Sequence, residues 1–232
     1  MLRKISKESM GTSDLGWLQS RFHFSFARYY NPKNINFGVL RVLNDDIIAP
    51  KSGFDMHPHE NMEIITYIIE GELTHEDNLG NKETLKRGEV QYMSAGKGVV
   101  HAEHNLGEKP LRVLQIWVIP PKNGLPTLYG SLRLKEEQRQ DKLLHVVSSK
   151  ECNAPIQIYQ DVDIFVTETQ EEFSFTIEEQ KQVYFVQIEG SSRVNELENL
   201  NASDALEITD ENALHVKPKT RSHFLFIVMN KQ

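Results

Sequence analysis

Ile65–Asn81 reads ITYIIEGELTHEDNLGN, and Val183–Asn199 reads VYFVQIEGSSRVNELEN. Each is an apolar, β-branched or aromatic run, then Glu-Gly, then a second short run and a polar turn. Runs of this length, bounded by Gly, Asn and Asp, predict strands joined by tight turns. Working outward, FGVLRVLND (Phe37–Asp45), EVQYMSAG (Glu89–Gly96) and LRVLQIWVI (Leu111–Ile119) read the same way in the first half. DIFVTETQ, FSFTIEE, DALEITD and HFLFIVMN do so in the second. The one helix-like stretch, KEEQRQDK (Lys135–Lys142), is too short and polar to be a core helix. The pattern predicts an all-β protein built as sandwiches or barrels. The internal repeat predicts two barrels of similar build. PPKNGLPTLYG (Pro120–Gly130) is rich in Pro and Gly and reads as the linker, giving domains 1–130 and 131–232.

The 232 residues suffice for one large core or two modest ones. The net charge of −7 argues against direct nucleic-acid binding, which needs a basic surface. Cys152 is the only cysteine, so no intrachain disulfide can form. No window approaches the roughly 20 apolar residues of a membrane span. The N-terminal stretch has no apolar segment of secretory length. These features predict a soluble, cytoplasmic chain with no membrane association.

The chemistry lies in two short motifs. In GFDMHPHEN, His57 and His59 flank Pro58, which favours an extended backbone at His57. Residues i and i+2 of a strand share a face, so the two imidazoles point the same way. In GKGVVHAEHN, His101 and Glu103 have the same spacing. Two such pairs facing one barrel interior supply three imidazoles and a carboxylate, a set suited to a first-row divalent ion. Left inside a barrel without partners, these polar groups would be costly. Glu63 also has the right parity to contribute the carboxylate. His104 has the wrong parity, and His75 is expected to pair with an acid of its own hairpin. Phe54, Met56, Met62 and Met93 lie close to the motifs and read either as pocket lining or as ordinary core.

HPHENMEIITYIIEGELTHEDNLGN and GEVQYMSAGKGVVHAEHN resemble the core of the pirin family, within the cupin superfamily. GWLQSRFHFSFARYYNP (Gly16–Pro32) resembles its N-terminal signature. The match is especially close to bacterial pirin-like proteins described as quercetin 2,3-dioxygenases. The resemblance implies a bicupin: two jelly-roll-like cupin β-barrels in one chain, with metal in the N-terminal barrel only. It implies His57, His59, His101 and Glu103 as ligands, although the general cupin pattern takes its carboxylate from near Glu63. It implies one divalent transition metal ion per chain, iron being the expected one and copper, nickel, manganese, cobalt and zinc also accepting such ligands. The implied activity is oxidative ring cleavage of a flavonol by dioxygen, with release of carbon monoxide and Glu103 as catalytic base. The family also contains metal-binding regulators that act through protein partners, and another enolic or phenolic substrate would suit the same ligands. The partners expected are therefore a small aromatic molecule and dioxygen, bound by a monomer. The second half has His145, His215 and His223 but no His-x-His or His-x-Glu pair, which predicts a barrel without ligands.

Overall fold

The computed structural model describes residues 1–231 and divides the chain into two compact units. One is Gly11–Leu134; the other joins Met1–Met10 to the chain from Lys135 onward. Each unit has one seven-stranded and one four-stranded sheet, almost wholly antiparallel. Both are cupin-type β domains, as the repeat predicts.

In the first unit the large sheet runs Leu128–Leu132, Val90–Ser94, Glu63–Glu70, Leu111–Val118, Leu40–Ile48, Leu18–Phe22, Gly11–Asp14. The small sheet runs Ser52–His59, Val99–Asn105, Glu72–Asp77, Lys82–Lys86. The strand Glu63–Glu70 is buried along nearly its whole length, which is why it reads as an unbroken apolar run. Its alternate residues Ile64, Thr66 and Ile68 mark three layers of the interior. Ile68 packs with Leu18, Ile48, Leu111 and Val113, and with Leu73 and Leu85 from the small sheet. Ile64 packs with Met93 and Val99, flanked by Met62, Trp117 and Tyr129. Between these apolar layers runs a polar row. Asn44 pairs with Gln115, Gln115 with Thr66, and Thr66 with Gln91 across four neighbouring strands. This row underlies the candidate site.

The repeated Glu-Gly has a structural cause. Gly71 and Gly190 both sit at positive φ, +79° and +76°, where a side chain is strained. A Cβ on Gly71 would lie 2.7 Å from the Pro110 carbonyl oxygen, and one on Gly190 would lie 2.9 Å from Ser222 Cα. The two turns do the same job in the two units.

The second unit fills its interior differently. Counting back from the turn glycine, the place held by Thr66 in the first unit is held by Phe185 in the second. Phe185 joins Phe224 and Phe226 in the core, and Phe173 stacks on Phe224 with centroids 5.2 Å apart. Phe165 stacks on Phe226 at 5.0 Å. Aromatic rings thus stand where the first unit has its polar row.

Two features depart from the boundaries read in the sequence. Leu2–Ile5 pairs with Ala205–Ile208, so the first ten residues belong to the second unit rather than to a 1–130 domain. This pairing is long-range and leaves no local signal. Leu128–Leu132, placed within and after the linker, is instead an edge strand of the first unit, paired with Val90–Ser94. Its Gly130 and the preceding prolines disguised it; an edge position tolerates them. The division therefore falls after Leu134. KEEQRQDK forms a single helical turn, Glu136–Arg139, whose Arg139 is buried and paired with Glu168.

Candidate metal centre

The strand Ser52–His59 lies against Val99–Asn105, with His57 opposite His101 and His59 opposite Val99. His57 and His59 are half-buried while Pro58 between them is exposed, as strand alternation requires. The three rings close on one another: centroids are 4.8 Å apart for His57–His59, 4.4 Å for His57–His101 and 4.9 Å for His59–His101. One ring nitrogen from each lies within 4.8 Å of the others. His57 Nδ1 donates to the Asp55 carbonyl at 2.7 Å, which leaves Nε2 as its lone-pair nitrogen. His101 Nε2 is buried without a hydrogen-bond partner. Burial, and then the neighbouring imidazoles, push His101 down to about 3; burial and then His57 push His59 down to about 4. Both rings are therefore neutral near pH 7, the form in which imidazole binds metals. An orphaned buried nitrogen among converging imidazoles fits a metal ion.

Glu103 comes in from the same strand as His101. The register slips by one residue between them, so Glu103 stands opposite Phe54. Gly53 permits the approach: a Cβ there would lie 2.6 Å from His104 Cα. Glu103 is 3% exposed and rests on the polar row. Gln115 Nε2 donates to its Oε2 at 2.7 Å, and Thr66 Oγ1 lies 3.3 Å from its Oε1. Burial outweighs these contacts and pushes its carboxyl up to about 7. Glu103 groups with His101 and His75 rather than with the His57–His59 pair at the same spacing. The four residues singled out in the sequence, joined by His75, thus fall into two overlapping trios that share His101.

The other candidates fall outside these trios. Glu63 is fully buried and accepts a 2.7 Å hydrogen bond from the Tyr92 hydroxyl. His104 turns outward, its Nε2 3.2 Å from Asp55. Met93 is buried core, Met62 packs beside it and Met56 is half-exposed, while the Phe54 ring stands 6.2 Å from that of His57. An aromatic wall does exist, from residues far off in sequence. Trp117 meets His59 edge-on at 4.9 Å, and Phe26, from the Gly16–Pro32 stretch, meets Trp117 at 5.5 Å. A cavity of about 380 Å³ opens beside His59, lined mainly by Pro58, Glu60, Asn78, Val99 and Val100. His75, assigned in the sequence only to a local acid pair, is 3.1 Å from Asp77 and also contacts His101. The signal that could have found it is parity: His75, like Asp77, alternates with the exposed Glu76. In the second unit, His145 pairs with Asp163, His215 with Ser174 and His223 with Glu189. None of these joins a trio of potential ligands among the described residues.

A family model described as Pirin matches residues 4–118, and one described as Quercetinase C-terminal cupin domain matches residues 145–229. A quercetin 2,3-dioxygenase of Escherichia coli K12 is 35% identical over 227 residues, covering 97% of this chain and 96% of that one. This chain belongs to the pirin family. A pirin-like protein of Caulobacter vibrioides is 41% identical over 214 residues, covering 91% of this chain and 92% of its own length. The crystal structure of the bacterial pirin YhhW of Escherichia coli, in complex with nickel(II), superposes with a TM-score of 0.93 at 33% identity, with both chains fully covered. Among the described residues no helix of this pirin is long and apolar enough to cross a membrane.

Proposed function

We propose that this chain is a metal-dependent dioxygenase that opens the ring of a flavonol and releases carbon monoxide. The observation that carries the proposal is the buried, unpartnered His101 Nε2 converging with two further imidazoles beside a proton-accepting carboxylate. His57, His59, His101 and Glu103 would hold one divalent transition metal ion per chain, iron being the proposed native ion. Such an ion supplies open positions for an oxygen-rich substrate and for dioxygen.

The protein's own groups do the rest. Glu103 Oε1 would accept the proton of the substrate's enolic hydroxyl, as a carboxylate within hydrogen-bond reach of the bound substrate can. Gln115 keeps the carboxylate turned toward the imidazoles by donating to Oε2. Gln115 is held in turn by Thr66 Oγ1, which donates to its Oε1 at 2.6 Å. Trp117, edge-on to His59, and Phe26 against it offer apolar surface beside the imidazoles that suits a flat aromatic body. The relatives' names support a flavonol as that body.

The test is aerobic incubation of iron- or nickel-loaded protein with quercetin, following flavonol loss and trapping carbon monoxide. Carbon monoxide in step with flavonol loss supports the proposal. Retained flavonol, with metal bound, argues for the regulatory role found elsewhere in the family.

A further inference from the structure

We infer that Asp77 and His75 form a positioning chain behind His101, fixing which of its two ring nitrogens faces the ion. The inference deepens the reading above and rests on its assignment of His101 as a ligand, not on flavonol turnover.

The chain begins at a pinned carboxylate. Asp77 Oδ1 accepts the backbone N–H of Leu79 at 2.9 Å and of Asn81 at 3.0 Å, and Oδ2 accepts Asn81 Nδ2 at 2.8 Å. Surrounded by donors, it can offer His75 only acceptor oxygens. His75 Nε2 lies 3.1 Å from Oδ2, so that nitrogen carries the proton. His75 Nδ1 is then a lone-pair acceptor. Two groups address it: Gln91 Nε2 at 3.1 Å and His101 Nδ1 at 3.5 Å. Turning the Gln91 amide over would demand a proton on His75 Nδ1 and set a lone pair on Nε2 against the Asp77 carboxylate. With His75 Nδ1 an acceptor, His101 carries its own proton on Nδ1. Its Nε2, buried and unpartnered, keeps the lone pair that a metal needs. The tautomer of a ligating histidine is set by what its other nitrogen touches. Here that partner is a second histidine, which relays the choice from Asp77. All three side chains are almost fully buried, so water cannot substitute for a missing member.

Asp77→Asn breaks the relay. An amide N–H facing His75 Nε2 moves the proton of His75 to Nδ1, where it opposes His101 Nδ1. His101 must then protonate at Nε2, the nitrogen meant for the ion. Two measurements read this. Nitrogen-15 NMR of histidine-labelled, metal-free protein reports the His101 tautomer directly, which a merely structural role for Asp77 would not change. Chelator competition with nickel(II) reports affinity. The expected results are an Nδ1–H tautomer of His101 in the wild type, a shift toward Nε2–H in Asp77→Asn, and nickel affinity lowered about 10- to 100-fold. An Nε2–H tautomer in the wild type overturns the inference, and needs no variant to fold. Asp77→Asn binding nickel as tightly as wild type overturns it too. His101→Ala run in parallel separates the two levels. If that variant keeps full nickel affinity, the ligand reading itself fails and the positioning chain with it. If it loses affinity while Asp77→Asn does not, only the positioning chain fails.

Discussion

Glu103→Gln separates proton chemistry from folding, and the structure gives the magnitude of the folding effect. In the metal-free chain burial pushes the Glu103 carboxyl from 4.5 up to about 7. The unfolded chain ionises this group near its ordinary value, whereas the folded chain holds the proton longer. Stability therefore falls as pH rises from about 4.5 to about 7 and is level above that, a loss on the order of 3 kcal/mol at most. A glutamine does not titrate. Its carbonyl can accept from Gln115 Nε2, and its amide N–H can donate to Thr66 Oγ1, which passes its own proton to Gln115. The polar row stays satisfied. Metal-free Glu103→Gln should therefore match wild type at pH 4 and exceed it at pH 8 by on the order of 2 kcal/mol. With metal present the ranking reverses in function: turnover should drop about 10²- to 10⁴-fold with the base removed. Urea unfolding of metal-free protein at pH 4, 6 and 8 reads the first effect. Flavonol loss at matched metal loading reads the second. A variant less stable than wild type at pH 8 would refute the reasoning about burial, and unchanged turnover would refute the role as base.

Glu63→Gln should keep its metal and lose less activity than Glu103→Gln, because Glu63 sits outside both trios and is held by Tyr92; metal analysis of the purified variant checks this. Elemental analysis should find one tightly bound ion per chain, unchanged by His215→Ala or His223→Ala, and two ions per chain would contradict the assignment. Phe226→Ala should lower stability by about 3–5 kcal/mol in denaturant unfolding, since the ring is fully buried against Phe165, Phe173, Phe175 and Phe185.

The two motifs were legible because a strand's period of two is enough to say which side chains share a face. His57, His59 and His101 converge for that reason, and His104 turns away for the same one. The Glu-Gly repeat was legible because a positive-φ turn against a neighbouring backbone demands glycine in both units. What depends on pairing between distant strands was not. Trp117 and Phe26 meet only once the large sheet has formed, and His75 reaches His101 only through the register between Glu72–Asp77 and Val99–Asn105. The polar row is similar: Asn44, Thr66, Gln91 and Gln115 each look like one polar residue in an apolar run, and their alignment exists only across strands. The placement of Leu2–Ile5 in the second unit has the same origin.

The most direct test of the central claim, that the imidazole trio of the first unit holds the ion that opens a flavonol ring, is the carbon monoxide yield per flavonol consumed. It is measured in air for metal-loaded wild type beside His101→Ala. A yield close to one for wild type, and neither flavonol loss nor carbon monoxide for the variant, is the expected result. Flavonol consumed without carbon monoxide, or equal yields from both proteins, would contradict it.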